Sequence, residues 1–253
     1  MSQLPNILWV VFDALRWDHL SCYGHHRQTT PNIDRLAAEG ARYLRAFTQG
    51  HYSLPSHTTM LTGLYPHEHR MERPNDVLDD AVISLPSRFN AIGYETICIS
   101  ANRYVGPANG LSRDFHQYFN SEPKARRNKQ WNRLLECAGL TDQGARDANR
   151  FAMAAVDSCT APWFIYLAYT ETHTPYSPPL GFIGRYHDGV LARVAHPLFT
   201  LWAGSLKRVA WAGNERAWRW ARALYDAEIA YTDYRLGELV ELWQTVAFLM
   251  RQW

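Results

Sequence analysis

The sequence predicts an α/β fold, with a central, mostly parallel sheet and helices on both faces. Three observations predict it. Two unbroken apolar runs, Asn6 to Phe12 and Trp163 to Tyr169, read as strands covered on both sides. Other segments repeat apolar residues at three- and four-residue steps, the period of a helix with one buried face. Strand-like and helix-like segments alternate along the chain, the order that builds a parallel sheet.

The first run (NILWVVF) suits a central strand and ends at Asp13. Open α/β sheets place their ligands at the carboxyl ends of such strands. Thr30-Pro31-Asn32-Ile33-Asp34 opens a helix that Gly40 closes, because Pro is preorganised for a first turn and Gly for a helix end. Ala41 to Thr48 returns as a short strand, and Ser53-Leu54-Pro55 leads into a helix ending at Thr62-Gly63. Ser84 to Ala91 is helical up to Gly93, Glu95 to Ser100 (ETICIS) is a strand, and residues 103 to 130 are polar and irregular. Gly144 to Asp157 is helical by period. Pro175 to Pro179 forces an extended loop. From about Glu215 to Trp243, Tyr225, Ile229, Leu236, Val240 and Trp243 mark one face of a long helix.

Composition excludes several classes. A net charge of +2 over 253 residues gives no electrostatic case for nucleic acid or an anionic membrane. Lys124, Arg126, Arg127 and Lys129 are too few to make a nucleic-acid patch. Cys22, Cys98, Cys137 and Cys159 form no C-x-x-C pair and read as buried free thiols. The Met1-Ser2-Gln3-Leu4-Pro5 start has no basic leader region, and the apolar run after it is too short to span a bilayer. The expectation is a cytoplasmic protein without membrane or nucleic-acid partners. The Trp residues between Trp202 and Trp243 read as buried helix surface.

Three segments then carry chemistry: Asp13 after the first strand, the 51–57 loop, and His173 after the 163–169 strand. An acid able to hold a divalent cation, a hydroxyl opening a helix and a histidine suit hydrolysis of an anionic ester. Backbone N–H groups at the start of the Ser56–Leu61 helix would add positive potential, and His173 could protonate a leaving oxygen.

The same residues resemble a known family. Pro5-Asn6-Ile7-Leu8, Asp13 to Leu20 (DALRWDHL), Cys22-Tyr23-Gly24 and Thr30 to Gly40 are similar to the opening of the sulfatases, in the alkaline phosphatase superfamily. Ser53-Leu54-Pro55-Ser56-His57 through His67 resembles their nucleophile loop, in its Leu-Pro-Ser-His form. Gly93 to Thr96, Phe164-Ile165-Tyr166, His173 to Tyr176 and Leu224 to Ile229 with Asp233 continue the likeness. The resemblance implies an alkaline-phosphatase-like fold and hydrolysis of small-molecule or carbohydrate sulfate esters. By the same resemblance Asp13 is a metal ligand, with calcium first and magnesium or manganese as alternatives. Ser53 is the nucleophile, which many members oxidise to formylglycine. His173 contacts substrate, and Ser56 lies beside the anion site.

Departures from the family pattern are equally specific. Ala14 stands where many members have a second aspartate, and His57 where the formylglycine signature ends in Arg. Ser100-Ala101-Asn102-Arg103 replaces the usual Lys and His, offering Asn102 as a substrate contact or simply a turn residue. No Asp-His-Gly or Asp-Asn-Gly turn follows the long helix. The expectation is one α/β domain over residues 1–253, the N-terminal part of a catalytic domain whose C-terminal subdomain is absent. Such a chain would expose a sheet edge prone to self-association. Alternatives to a sulfatase are a phosphodiesterase or phosphonate monoester hydrolase using unmodified Ser53, or a catalytically inactive relative. Asp226 and Asp233 read as polar residues on a packed helix, and His67 and His69 as a solvated loop.

Overall fold

The computed structural model describes residues 4–122, 142–159, 162–186 and 215–250. The basic cluster at 124–129, Cys137 and the variable segment before Glu215 lie outside them. The chain forms two compact units. The first comprises Met1–Val11, Tyr43–Glu122 and Asp147–Tyr169; the second comprises Phe12–Arg42, Pro123–Arg146 and Thr170–Trp253.

The elements, in chain order, are β1 (Ile7–Phe12), α1 (Pro31–Glu39), α2 (Ser53–Thr62), α3 (Pro66–His69), α4 (Leu85–Ala91) and β2 (Glu95–Ser100). They continue with β3 (Gln117–Asn120), α5 (Ala145–Ser158), β4 (Trp163–Tyr169), α6 (Leu180–Ile183) and α7 (Glu215–Met250).

The first unit is organised by a sheet of order β1-β4-β2-β3. β2 runs parallel to both neighbours, with Glu95 opposite Trp163, Ser100 opposite Ala168, and Ile97 opposite Gln117. Every residue of β4 is buried, as its unbroken apolar run requires. β1 corrects an expectation: its equally apolar run lies at one end of the sheet and is half-buried throughout. An apolar run reports a covered strand, but it does not report how many neighbours complete the ladder. β3 was not legible, since QYFN is short and takes its strand form from pairing with β2. Ala41 to Thr48 forms no strand; Tyr43, Leu44 and Phe47 are exposed there, and no ladder fixes the segment.

Leu54, Leu61, Met71, Leu78, Val105, Phe115, Phe164 and Tyr166 make the core of this unit. Rings dominate it: Phe164 lies 4.6 Å from Phe89 and 6.2 Å from Phe115, centroid to centroid. Ser84 caps α4, its Oγ accepting from the Ser87 N–H.

The second unit packs α1 and α6 on the long α7. Gly237 allows a close first contact: a Cβ there would lie 2.6 Å from the Asn32 side-chain amide, which would have to shift. Asp233 accepts from the backbone N–H groups of Asn32 (3.0 Å) and Ile33 (2.8 Å), so a residue of α7 caps the first turn of α1. No helix among the described residues is long and apolar enough to cross a membrane.

Candidate active site

In the first unit, Ser53 is the first residue of α2, entered from an extended Tyr52 that makes no side-chain capping bond. Pro55 fits the first turn because its φ is preset and its missing N–H would have found no helical partner. The N-terminal end of this helix gives Ser53 a positively polarised setting, with its side chain partly exposed. Thr48 braces the approach, its hydroxyl 3.0 Å from Ser56 Oγ and donating to Gly50 O at 3.1 Å. Gly50 sits so close that a Cβ would be 2.5 Å from the Ser56 nitrogen. Gly63, at φ 74°, ends α2 in the left-handed conformation suited to glycine.

His57 points into the core. It is 2% exposed, and its Nδ1 lies 2.6 Å from the Tyr166 hydroxyl on β4. Asn102 follows β2 by two residues and forms a turn: its Oδ1 accepts from the Tyr104 N–H at 2.9 Å, and it is 7% exposed. His69, expected in a solvated loop, is buried. Its Nδ1 accepts from the Met71 N–H at 3.0 Å, and its Nε2 lies 3.2 Å from Thr59 Oγ1. Burial pushes its pKa below the ordinary histidine value.

In the second unit, Asp13 is half-buried at the end of β1. The turn after it is strained: Ala14 has φ 59°, a conformation that costs a non-glycine residue about 1–2 kcal/mol. Tyr225 holds that turn, donating its hydroxyl to Ala14 O at 2.7 Å and accepting from the Arg16 N–H at 2.8 Å. Thr172 donates to Asp13 O at 2.5 Å. Strain maintained by dedicated hydrogen bonds is characteristic of functional turns.

His173 is exposed, and its Nδ1–H donates to Thr174 O at 2.6 Å. A carbonyl only accepts, so the proton belongs on Nδ1 and Nε2 is the atom left for chemistry. Buried polar groups fix the loop behind it. Gln143 Nε2 lies within hydrogen-bond reach of Glu171 O (3.1 Å), Pro175 O (3.2 Å) and Glu228 Oε1 (3.4 Å). Glu171 accepts from Ala145 N–H at 2.6 Å, capping α5, and from Thr170 N–H at 3.1 Å. Glu228 accepts from Ser177 N–H at 2.6 Å. Burial, with Asp142 nearby, raises the Glu171 carboxyl to about 7 against these N–H bonds. Burial raises Glu228 in the same direction.

The helix pattern missed that Asp226, 1% exposed, is the hub of a polar cluster. His19 Nδ1–H donates to Asp226 Oδ1 at 2.6 Å, and Arg27 donates to Oδ2 at 2.7 Å. His25 Nε2 lies 3.4 Å from the same Oδ1. Burial lowers the His25 pKa despite the adjacent carboxylate. Only the spacing His19, His25 and a single buried acid some 200 residues later could have signalled it, and such spacing alone specifies nothing.

A metal at Asp13 is tested by the donors present. Among the described residues, the one group of three or more His, Cys, Asp or Glu with donor atoms in mutual reach is His19, His25 and Asp226. Asp13 belongs to no such group, and Ala14 brings no donor. The described His, Cys, Asp and Glu side chains do not by themselves make a cation site at Asp13.

Against known proteins, the sulfatase family model matches residues 5–245. An N-acetylgalactosamine-6-O-sulfatase of Bacteroides thetaiotaomicron is 33% identical over 121 residues, 46% of this chain and 24% of that protein. An arylsulfatase of Clostridium perfringens is 24% identical over 284 residues, 93% of this chain and 58% of that one. The chain thus spans between about a quarter and three-fifths of these relatives' length. Among solved structures, the phosphonate monoester hydrolase of Agrobacterium radiobacter superposes with a TM-score of 0.74 at 20% identity, over 96% of this chain and 60% of that one. That likeness shows the alkaline-phosphatase/sulfatase-type fold.

Proposed function

The chain belongs to the sulfatase family, and from that premise we propose a hydrolase of sulfate esters, with sulfated carbohydrates as the substrate class. The observation that carries the reading is Ser53 at the first position of α2, on an approach braced by Thr48 and Gly50. In this scheme the Ser53 hydroxyl attacks sulfur and yields its proton to solvent, a new O–S bond forms, and the bond from sulfur to the ester oxygen breaks. The departing alcohol takes a proton, and water then releases sulfate. The N–H groups and dipole of α2 stabilise the non-bridging oxygens as charge concentrates on them. Asn102 donates through Nδ2, since its Oδ1 serves the turn. By the family resemblance His173 is the candidate proton donor, and Nε2 is the atom it would use. Asp13 would contribute one carboxylate toward the divalent cation of the family.

A second reading is favoured by His57. The formylglycine signature has Arg there, whereas this imidazole is buried against Tyr166. An unmodified Ser53 acting on phosphate diesters or phosphonate monoesters follows from it.

The test is turnover of an aryl sulfate, an aryl phosphodiester and an aryl phosphonate by purified protein and by Ser53→Ala. Hydrolysis lost in Ser53→Ala, with the sulfate preferred, supports the first reading. Mass spectrometry of the loop peptide assigns the nucleophile, because oxidation to formylglycine removes two hydrogens. No turnover of any ester beyond that of Ser53→Ala would sink both readings.

A further inference from the structure

We propose that His19, His25 and Asp226 form a binding site for a zinc-class transition-metal ion. It is a separate donor set from Asp13 and does not depend on the catalytic reading. The three donor atoms all lie within 4.8 Å of one another. Their side chains are only 16%, 7% and 1% exposed, respectively, so water does not satisfy them freely. His25 Nε2 carries the argument: it is buried, makes no well-formed hydrogen bond, and lies 3.4 Å from the carboxylate oxygen that His19 also addresses. A buried polar atom without a well-formed hydrogen bond is costly and calls for an explanation.

The geometry supplies one. Zinc holds nitrogen and oxygen ligands at about 2.0–2.1 Å in a tetrahedron, whose edges are then about 3.3–3.4 Å. The His25 Nε2 to Asp226 Oδ1 separation is 3.4 Å. The His19 Nδ1 to Oδ1 separation of 2.6 Å has only to open as the metal replaces the shared proton. Arg27 binds the other oxygen, Oδ2, and so orients the carboxylate while leaving Oδ1 to the ion. The loop is braced independently of any ion, because Ser21 Oγ accepts from both the Thr29 and Thr30 N–H groups. Two imidazoles and one carboxylate oxygen suit zinc or cobalt and discriminate against calcium and magnesium, which prefer all-oxygen sets.

The experiment titrates chelator-stripped, tag-free protein with cobalt(II), reading the visible ligand-field absorption that is intense in tetrahedral sites, with zinc as competitor. The expected result is one saturable equivalent displaced by zinc and not by calcium. It should weaken at least tenfold in His25→Ala, and be retained in His26→Ala, whose side chain is exposed, and in Asp13→Asn. His25→Gln, which keeps most of the volume, serves should circular dichroism show His25→Ala unfolded. Absence of a saturable cobalt band in the wild type, or an unchanged band in the folded His25 variant, overturns the proposal.

Discussion

Around Phe164 the first unit buries rings against rings, with Trp9, Phe89 and Phe115 on neighbouring elements. Around Glu228 the second unit buries Gln143, Glu171 and Ser177 instead, and around the buried Asp226 it gathers two histidines and a partly exposed guanidinium. It buries apolar residues as well, among them Ile183, Leu224, Ile229, Leu236 and Leu239. Close-packed rings resist displacement by their shape, whereas a buried hydrogen-bonded charge depends on keeping its partners. The first unit therefore presents its loop from a stiff hydrophobic base. The second holds the Asp13 turn by hydroxyl bonds to its backbone, and backs the His173 loop with buried carboxyls whose charge depends on protonation.

Truncating the ring core should have the largest effect. Phe164→Ala is expected to cost about 3–5 kcal/mol in denaturant unfolding, since the site is fully buried and ringed by rigid neighbours. A loss below 1 kcal/mol would break the contrast.

The buried carboxyls should make stability depend on pH. The Glu171 pKa is raised from 4.5 to about 7 in the folded state, so that state binds more protons than the unfolded chain as pH rises. Its contribution is fully present below about 4.5 and is lost as pH climbs through about 7, amounting to at most about 3 kcal/mol. Glu171→Gln should flatten the fall in melting temperature across that window. An identical pH slope in the variant would remove Glu171 from the account.

Asp233→Ala strips the α1 first turn of two N–H acceptors and should cost about 2 kcal/mol, measured by the same unfolding. Asp233→Asn should cost less, because one acceptor oxygen remains. The smallest effect should come from Ala14→Gly, expected to stabilise by about 0.5–1 kcal/mol as the left-handed strain is relieved. A destabilised Ala14→Gly would mean that the turn is not strained.

Legibility followed locality. β2, β4 and α1 were readable because each apolar pattern is bounded by its own Gly, Pro or acid, and the structure places them within a residue or two of expectation. β3 and the 41–48 segment were misread because strand identity there depends on a partner, which a local pattern cannot report. Asp13, Ser53, Asn102 and His173 stood out because each follows a strand end or opens a helix. Asp226 did not, since its meaning depends on His19 and His25, far away in the chain. Nor could the sequence show His57 turned inward onto Tyr166.

Gly50 has a consequence for how this loop can change over evolutionary time. A methyl group there would collide with the main chain of Ser56 and not with a movable side chain, so no neighbouring substitution can make room for it. In a saturation library position 50 should return glycine alone among active clones, while exposed His51 beside it varies freely. Ser53 is then insulated from drift on one side by a contact that selection can only keep or lose. Lineages that lose it should abandon the nucleophile as well.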